Sequence, residues 1–263
     1  MMPSRTLVAV AAHADDFELN AAGYALRWIR DGGQVVIIMV TSNCSGPLLL
    51  PDATDGQAVR LPPDQTSAVR HCEQDAAAAH LGAKVIYLNY SQRHYWNGHR
   101  QVTVGFEMTE PAPPGIAGRL PLIQAFRNRQ EVQKLSDLLR SLSPAEVLTQ
   151  TVIDLDPEHH MVATMVWQAF MLEPALHDVP LRFWSPGSSA PDGMFDPNYD
   201  YIVDITDTYD TKVELCHLHA SQMTPERLTM VRDHAEHWGR RIGVRYAEPF
   251  KTATLGRSYQ LPT

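Results

Sequence analysis

Through roughly the first 150 positions, apolar residues fall in short unbroken blocks, and these alternate with stretches in which apolar positions recur every three or four residues. Thr6 to Ala11 is a short β-prone run. Asn20 to Arg30 has helical spacing, with Ala22, Leu26 and Ile29 in phase, and stops at Gly32-Gly33. Gln34 to Val40 (QVVIIMV) is continuously apolar after its first residue and rich in β-branched side chains, as expected of a strand covered on both faces. Thr66 to Leu81 is alanine-rich and helical up to Gly82, and Lys84 to Leu88 predicts a third strand. Leu120 to Leu142 reads as one helix, and Pro144 precedes a fourth strand at Glu146 to Thr149. From Pro174 onward the pattern loosens, with a strand near Tyr201 to Ile205 and helices near Lys212 to His219 and Pro225 to Arg241. Alternating strands and helices predict an α/β fold, a Rossmann-like, doubly wound, mostly parallel sheet with helices on both faces. With 263 residues, 44% of them hydrophobic, the expectation is a single domain with one sizeable core. No repeat or low-complexity tract interrupts it.

Two stretches have loop composition: 45–65, with Pro47, Pro51, Pro62 and Pro63, and 94–118. Both exceed what a compact domain needs, and long loops often wall a binding site. Charge narrows the partners. Thirty acidic residues against 22 basic ones leave −8, and no basic cluster appears, so nucleic acid is not an expected partner. The opening MMPSRTLVAVAAHADD has a short apolar run that soon meets acidic residues, so neither a signal peptide nor a membrane span is expected, and the expected compartment is the cytoplasm. Cys44, Cys72 and Cys216 form an odd set without CxxC spacing, which argues for reduced thiols rather than a disulfide framework or a cysteine zinc site.

The chemistry is concentrated in two groups. His13-Ala14-Asp15-Asp16 follows the first predicted strand directly, at the sheet edge where open α/β folds bind ligands. Asp154-Leu155-Asp156-Pro157-Glu158-His159-His160 comes just after the fourth strand, at the same edge. Two imidazoles and a carboxylate with an open position are the ligands of a catalytic zinc, and a leftover carboxylate can serve as a base. The alternative for Asp15 and Asp16 is helix capping, and for His13 a buried structural histidine.

These residues resemble the PIG-L/LmbE-like N-acetylglucosaminyl deacetylases. VAVAAHADDFELNAAG is similar to that family's opening AHPDDE motif, with Ala14 for its proline and Phe17 ahead of Glu18. DLDPEHH resembles its HPDH motif, Pro157 and His159 falling on the proline and the final histidine. Arg70 and Glu73 match its Arg-x-x-Glu helix, Lys212 through Ser221-Gln222 its late Lys…His-x-Ser-Gln segment, and Gly243 to Phe250 its closing Gly-Val-x-Tyr-Ala-Glu-x-Phe. The resemblance spans residues 6 to 250.

It implies that His13, Asp16 and His159 ligate one divalent metal, zinc first and Fe2+ as the alternative, and that Asp15 is the general base. Alignment on Pro157 favours His159 over His160, and adjacent helix positions point about 100° apart, so the two would not share one ion. The pattern departs at Asp156, which replaces the family's first HPDH histidine, and at Glu158, which replaces its aspartate. Asp156 is therefore expected either as an altered acid or as a partner orienting His159. Arg70 is expected to meet polar groups of the substrate, its alternative being an i,i+3 ion pair with Glu73. Asn43 and His219 are further substrate-side candidates, and His94, Tyr95, Trp96 and His99 are aromatics that could stack on a sugar ring. The implied activity is removal of an N-acyl, first of all N-acetyl, group from a small amino sugar or its conjugate. The alternatives are an amidase for another N-acyl compound and a non-catalytic metal- or sugar-binding protein. A homo-oligomer is compatible with the sequence.

Overall fold

The structure, a computed structural model, describes residues 5–49, 58–104, 112–185 and 198–254. Strand β1 (Thr6–Ala11) leads into a short helix α1 (Asp16–Asn20), then α2 (Ala22–Arg30) and β2 (Gln34–Thr41). A small ribbon, β3 (Leu48–Leu49) with β4 (Ala58–Val59), precedes α3 (Pro63–Leu81) and β5 (Lys84–Tyr90). A second ribbon, β6 (His94–Trp96) with β7 (Gln101–Thr103), is followed by α4 (Leu122–Ala125), α5 (Arg129–Leu142) and β8 (Glu146–Thr149). The chain then forms α6 (Pro157–Leu172), β9 (Leu181–Trp184), β10 (Tyr201–Asp204), α7 (Tyr209–His217), α8 (Pro225–Ile242) and β11 (Ala247–Thr252).

Seven strands make one sheet in the order β10-β11-β9-β8-β1-β2-β5. The pairs β2–β5, β1–β2, β1–β8 and β8–β9 are parallel, and β11 runs antiparallel to both of its neighbours. The period of two along β1 explains the two cores. Leu7, Ala9 and Ala11 join a cluster with Phe17, Trp28 and Leu215 on one face, while Val8, Val10 and Ala12 join Leu135, Leu139, Val162 and Phe170 on the other. A strand covered twice has no polar face, which is why β1 and β2 read as apolar blocks. The expected doubly wound, mostly parallel α/β fold is present.

Several details differ from expectation. The helix predicted over Leu120 to Leu142 is two helices, because Asn128 turns out of helical geometry and its side chain accepts from Gln130 N, capping α5. Asn20 to Arg30 is likewise broken, at Ala21. The long helix α6 and the strands β9 and β11 were not among the predicted elements. Ribbons β3–β4 and β6–β7 occupy parts of the two long loops, whose segments 50–57 and 105–111 lie outside the described residues.

Candidate metal centre

The connections leave β1 in opposite directions, through α1 and α2 to β2 on one side and later, through β8 on the other, to α6. The chain after β1 and the chain after β8 therefore meet at the carboxyl edge of the sheet, the switch point where such folds open a crevice. His13, Asp15 and Asp16 follow β1, and Asp154 to His159 follow β8. Pro157 at the first position of α6 and Asp156 as its N-cap fix where that helix begins, so His159 lies in its first turn and reaches toward β1. Asp15, the N-cap of α1, has φ 98°, a left-handed conformation uncommon for a residue with a Cβ.

The side chains of His13, Asp16 and His159 converge. His13 Nδ1 lies 3.2 Å from His159 Nε2, an Asp16 oxygen lies 3.4 Å from His13 Nδ1, and the other lies 3.3 Å from His159 Nε2. With bonds of about 2.0–2.1 Å, two ligands of a tetrahedral ion are about 3.3 Å apart, so this donor set fits one metal of zinc's size. The remaining atoms strengthen the fit. His13 Nε2 meets Glu158 Oε2 at 2.7 Å and His159 Nδ1 meets Asp154 Oδ2 at 2.8 Å, so each imidazole can donate its outer N–H to a carboxylate and turn its lone pair inward. Asp16 Oδ2 accepts from His13 N and from Gln150 Nε2, each at 2.8 Å.

Electrostatics follows from that packing. Burial pushes His13 toward the neutral form, but the carboxylates of Asp16 and Glu158 outweigh it and raise its pKa to about 9. His159 is likewise held above the ordinary range by Asp16 and Asp154 against burial. Burial opposes ionisation of Glu158, yet the His13 contact and the N–H groups of Gln92 and Arg93 lower its pKa to about 2.

Asp15 stands beside this cluster without joining it. Its Oδ1 is 3.4 Å from Arg70 Nη2 and its Oδ2 is 3.1 Å from Arg227 Nη1. Arg70 also donates to Ala14 O. Its alternative partner Glu73 is engaged elsewhere, accepting from Ser221 N and Oγ at 2.7 Å each. Asp15, Asp16, His13 and His159 open into a cavity of about 230 Å³ whose walls include Arg70, Arg93, His94 and Arg227.

Other candidates sit differently. Asn43 is fully buried and accepts from Ala14 N at 2.8 Å, so it braces the His13–Asp16 loop from behind. His219 is fully buried against Glu18, 3.3 Å away, and does not line the cavity. Asp156 does not touch His159; its Oδ1 accepts from Glu158 N at 2.7 Å and lies 3.4 Å from Arg93 Nη1. His160 turns back onto the Asp154 backbone. Tyr95 packs in a small cluster with Cys44 and Val102, Arg60 lies over Trp96, and His94 alone of the four loop aromatics and histidines lines the cavity.

Sequence reasoning left Glu158, Asp154 and Gln150 without roles, although the place of Glu158 and Asp154 beside His159 was a usable signal. Arg227 carried none, since nothing local ties an exposed-looking helix residue to a loop more than 200 positions earlier.

Comparison with known proteins bears on the fold and the family. Among solved structures, the fold is similar to N,N'-diacetylchitobiose deacetylase from Pyrococcus horikoshii, with 19% identity and a TM-score of 0.68 over 95% of this chain and 84% of that one. It is also similar to GalB, the 4-carboxy-2-hydroxymuconate hydratase from Pseudomonas putida, with 17% identity and a TM-score of 0.69 over 98% and 100% of the two chains. A deacetylase of teicoplanin biosynthesis gives 18% identity and a TM-score of 0.66 over 95% and 100%. At such identities the likeness is one of fold. No curated protein matches the sequence. The family model described as PIG-L, GlcNAc-PI de-N-acetylase, matches residues 8–170, which is more than half of the chain and holds all three converging side chains, so the chain belongs to the PIG-L family.

Proposed function

We propose that this protein is a metal-dependent N-deacetylase acting on an N-acyl, first of all N-acetyl, amino sugar or a conjugate of one, with His13, Asp16 and His159 as the metal ligands. One observation carries the reading: in a PIG-L chain, three donors at tetrahedral-edge separations share one cavity with an aspartate that is not spent on them. Zinc suits the donor set best, with Fe2+ the second choice.

When bound, such an ion supplies Lewis acidity, polarising the amide carbonyl and making water a better nucleophile near neutral pH. The chain's own residues do the rest. Asp15 accepts the proton from the attacking water and returns it to the amine as the C–N bond breaks. Arg70 and Arg227 hold one Asp15 oxygen each, which fixes the carboxylate plane at the cavity floor. Glu158 and Asp154 keep both imidazoles in the ligating tautomer. Arg70 and His94 meet the polar groups of the sugar.

Acetate release from a panel of N-acetyl amino sugars, with and without added zinc, tests this, with Asp15→Asn alongside. The expected result is zinc-dependent turnover that falls about 10²–10⁴-fold in the variant while bound zinc is retained. Stoichiometric zinc without turnover of any substrate would instead favour a binding protein. A second reading has one observation behind it: Asp156 stands where the deacetylase pattern has an imidazole. GalB, similar in fold, is a hydratase, and addition of water to an unsaturated acid would need no protonated amine leaving group. Loss of a diene absorbance would distinguish that chemistry. Among the described residues no helix is long and apolar enough to cross a membrane, and on its three free cysteines we place the protein in the cytoplasm.

A further inference from the structure

Arg93 and Arg227 both line the metal cavity, and neither belongs to the motifs that carry the family resemblance. Their surroundings differ from those of Arg70. The Arg70 side chain is only 6% exposed beside Asp15, whereas those of Arg93 and Arg227 are 31% and 29% exposed at the cavity wall. Both are only partly engaged. The contacts of Arg227 run through Nη1, to Asp15 Oδ2 at 3.1 Å and Gln222 O at 3.4 Å. Those of Arg93 run through Nη1, to Asp156 at 3.4 Å, and through Nε, to His94 Nδ1 at 3.3 Å. A guanidinium has five donors in a planar fork, and among the described residues no carboxylate takes either arginine in two-point fashion. The Arg93–Asp156 pair, about 30% exposed on both sides, contributes about 0–1 kcal/mol, so the fold does not require it. Three guanidiniums share the cavity wall with the carboxylates of Asp15, Asp16, Asp156 and Glu158, of which Asp16 and Glu158 are held by His13.

We infer that Arg93 and Arg227 bind a carboxylate of the substrate, so that the preferred substrate is an N-acylated amine that also carries an acid group. This rests on the deacetylase reading of the same cavity. A planar monoanion matches the fork geometry, and a bulkier dianion such as a phosphate would be opposed more strongly by Asp15 and Asp156 close by. Because the pairing to Asp15 uses Nη1 alone, a carboxylate engages the outer edge of Arg227 and leaves Asp15 in place.

Two measurements test the inference separately from the reading beneath it. Kinetics on the zinc-loaded protein compare N-acetylglucosamine with N-acetylmuramic acid, the same sugar bearing a lactyl carboxylate. The expected result is a preference of about 10–100-fold in kcat/KM for the acid, carried by KM and collapsing toward unity in an Arg93→Gln/Arg227→Gln double variant. Calorimetric titration of the same proteins with succinate should show binding to the wild type that the double variant loses. Turnover of both sugars without preference, or succinate binding equal in the two proteins, as ligation to the metal alone would give, overturns the inference and leaves the deacetylase reading standing. No turnover of either sugar together with succinate binding lost in the variant would support the carboxylate site and remove the deacetylase reading. Absence of both would remove both.

Discussion

Exchanging Glu158 for glutamine changes one oxygen of a buried side chain and should weaken metal binding without removing a ligand. Glu158 is 1% exposed and accepts three N–H groups: His13 Nε2 at 2.7 Å, Gln92 Nε2 at 3.0 Å and Arg93 N at 2.6 Å. Glutamine keeps the shape but offers one acceptor where there were two. With its NH2 toward His13, it faces donor with donor unless the imidazole moves its proton to Nδ1, which blocks the nitrogen that points at Asp16 and His159. Turned the other way, it leaves Arg93 N buried against a donor. In the first case the cost falls on His13, and loss of such an orienting carboxylate typically costs about 10–100-fold in metal affinity. In the second it falls on the fold, at about 1–3 kcal/mol for an unmet buried donor. Zinc affinity measured against a chromophoric chelator, paired with urea unfolding of the metal-free protein, reads both. If Glu158→Gln binds zinc as tightly as the wild type and unfolds at the same urea concentration, the claim that Glu158 sets the His13 tautomer is wrong. His160→Ala, which alters a residue outside the cluster, should leave zinc affinity unchanged.

Two further outcomes follow from the buried charges. Lys212 and Glu248 are 2% and 1% exposed and 2.6 Å apart, and Glu248 also accepts from Gly23 N and Tyr24 N at the start of α2. Glu248→Leu strands a buried ammonium and two amides and should cost about 3–5 kcal/mol in urea unfolding, while Lys212→Met leaves Glu248 its two amide partners and should cost less. Equal losses would show that the amides contribute little. For His219, burial favours the neutral ring, but Glu18 outweighs it and the folded pKa lies above 6.5. Its contribution is therefore complete below the unfolded pKa and is lost as pH rises through the folded one. The stability gap between wild type and His219→Gln should be widest below pH 6.5 and narrow as pH rises above it, and a gap independent of pH would refute the assignment.

Legibility in the sequence tracked whether an element's partners lie nearby. The blocks of β1, β2 and β8 announced themselves because both faces are buried, and the His13–Asp16 and Asp154–His159 groups were readable because each is compact and follows a strand. Strand β11 was not readable. It carries Glu248 and Pro249 in a strand that has neighbours on both sides, and proline there argues against a ladder position. What makes it a strand is tertiary: Glu248 is neutralised by Lys212, and Phe250 packs against Tyr24. The break before α5 was visible in principle, since Asn128 followed by Glu131 has the form of a capping box. The link between Arg227 and Asp15 had no local signal, because an ion pair across the fold leaves no spacing to count.

Asp156 allows a direct test of where the leaving amine gets its proton. The family pattern has an imidazole at this position, so an aspartate acting as its substitute acid is the simplest expectation. The geometry argues otherwise: Oδ1 already accepts from Glu158 N and faces Arg93, and the residue caps α6, the helix that delivers His159. Its carboxylate is used as an acceptor, and it is Asp154 that holds His159. Asparagine caps a helix about as well as aspartate but cannot give up a proton, whereas alanine does neither and costs about 0.5–2 kcal/mol. If capping is the role, Asp156→Asn should keep turnover within a few-fold of the wild type, and Asp156→Ala should lose stability and zinc affinity together. A collapse of kcat in Asp156→Asn at unchanged zinc content and unchanged urea midpoint would make Asp156 the acid after all, and would take the proton return away from Asp15.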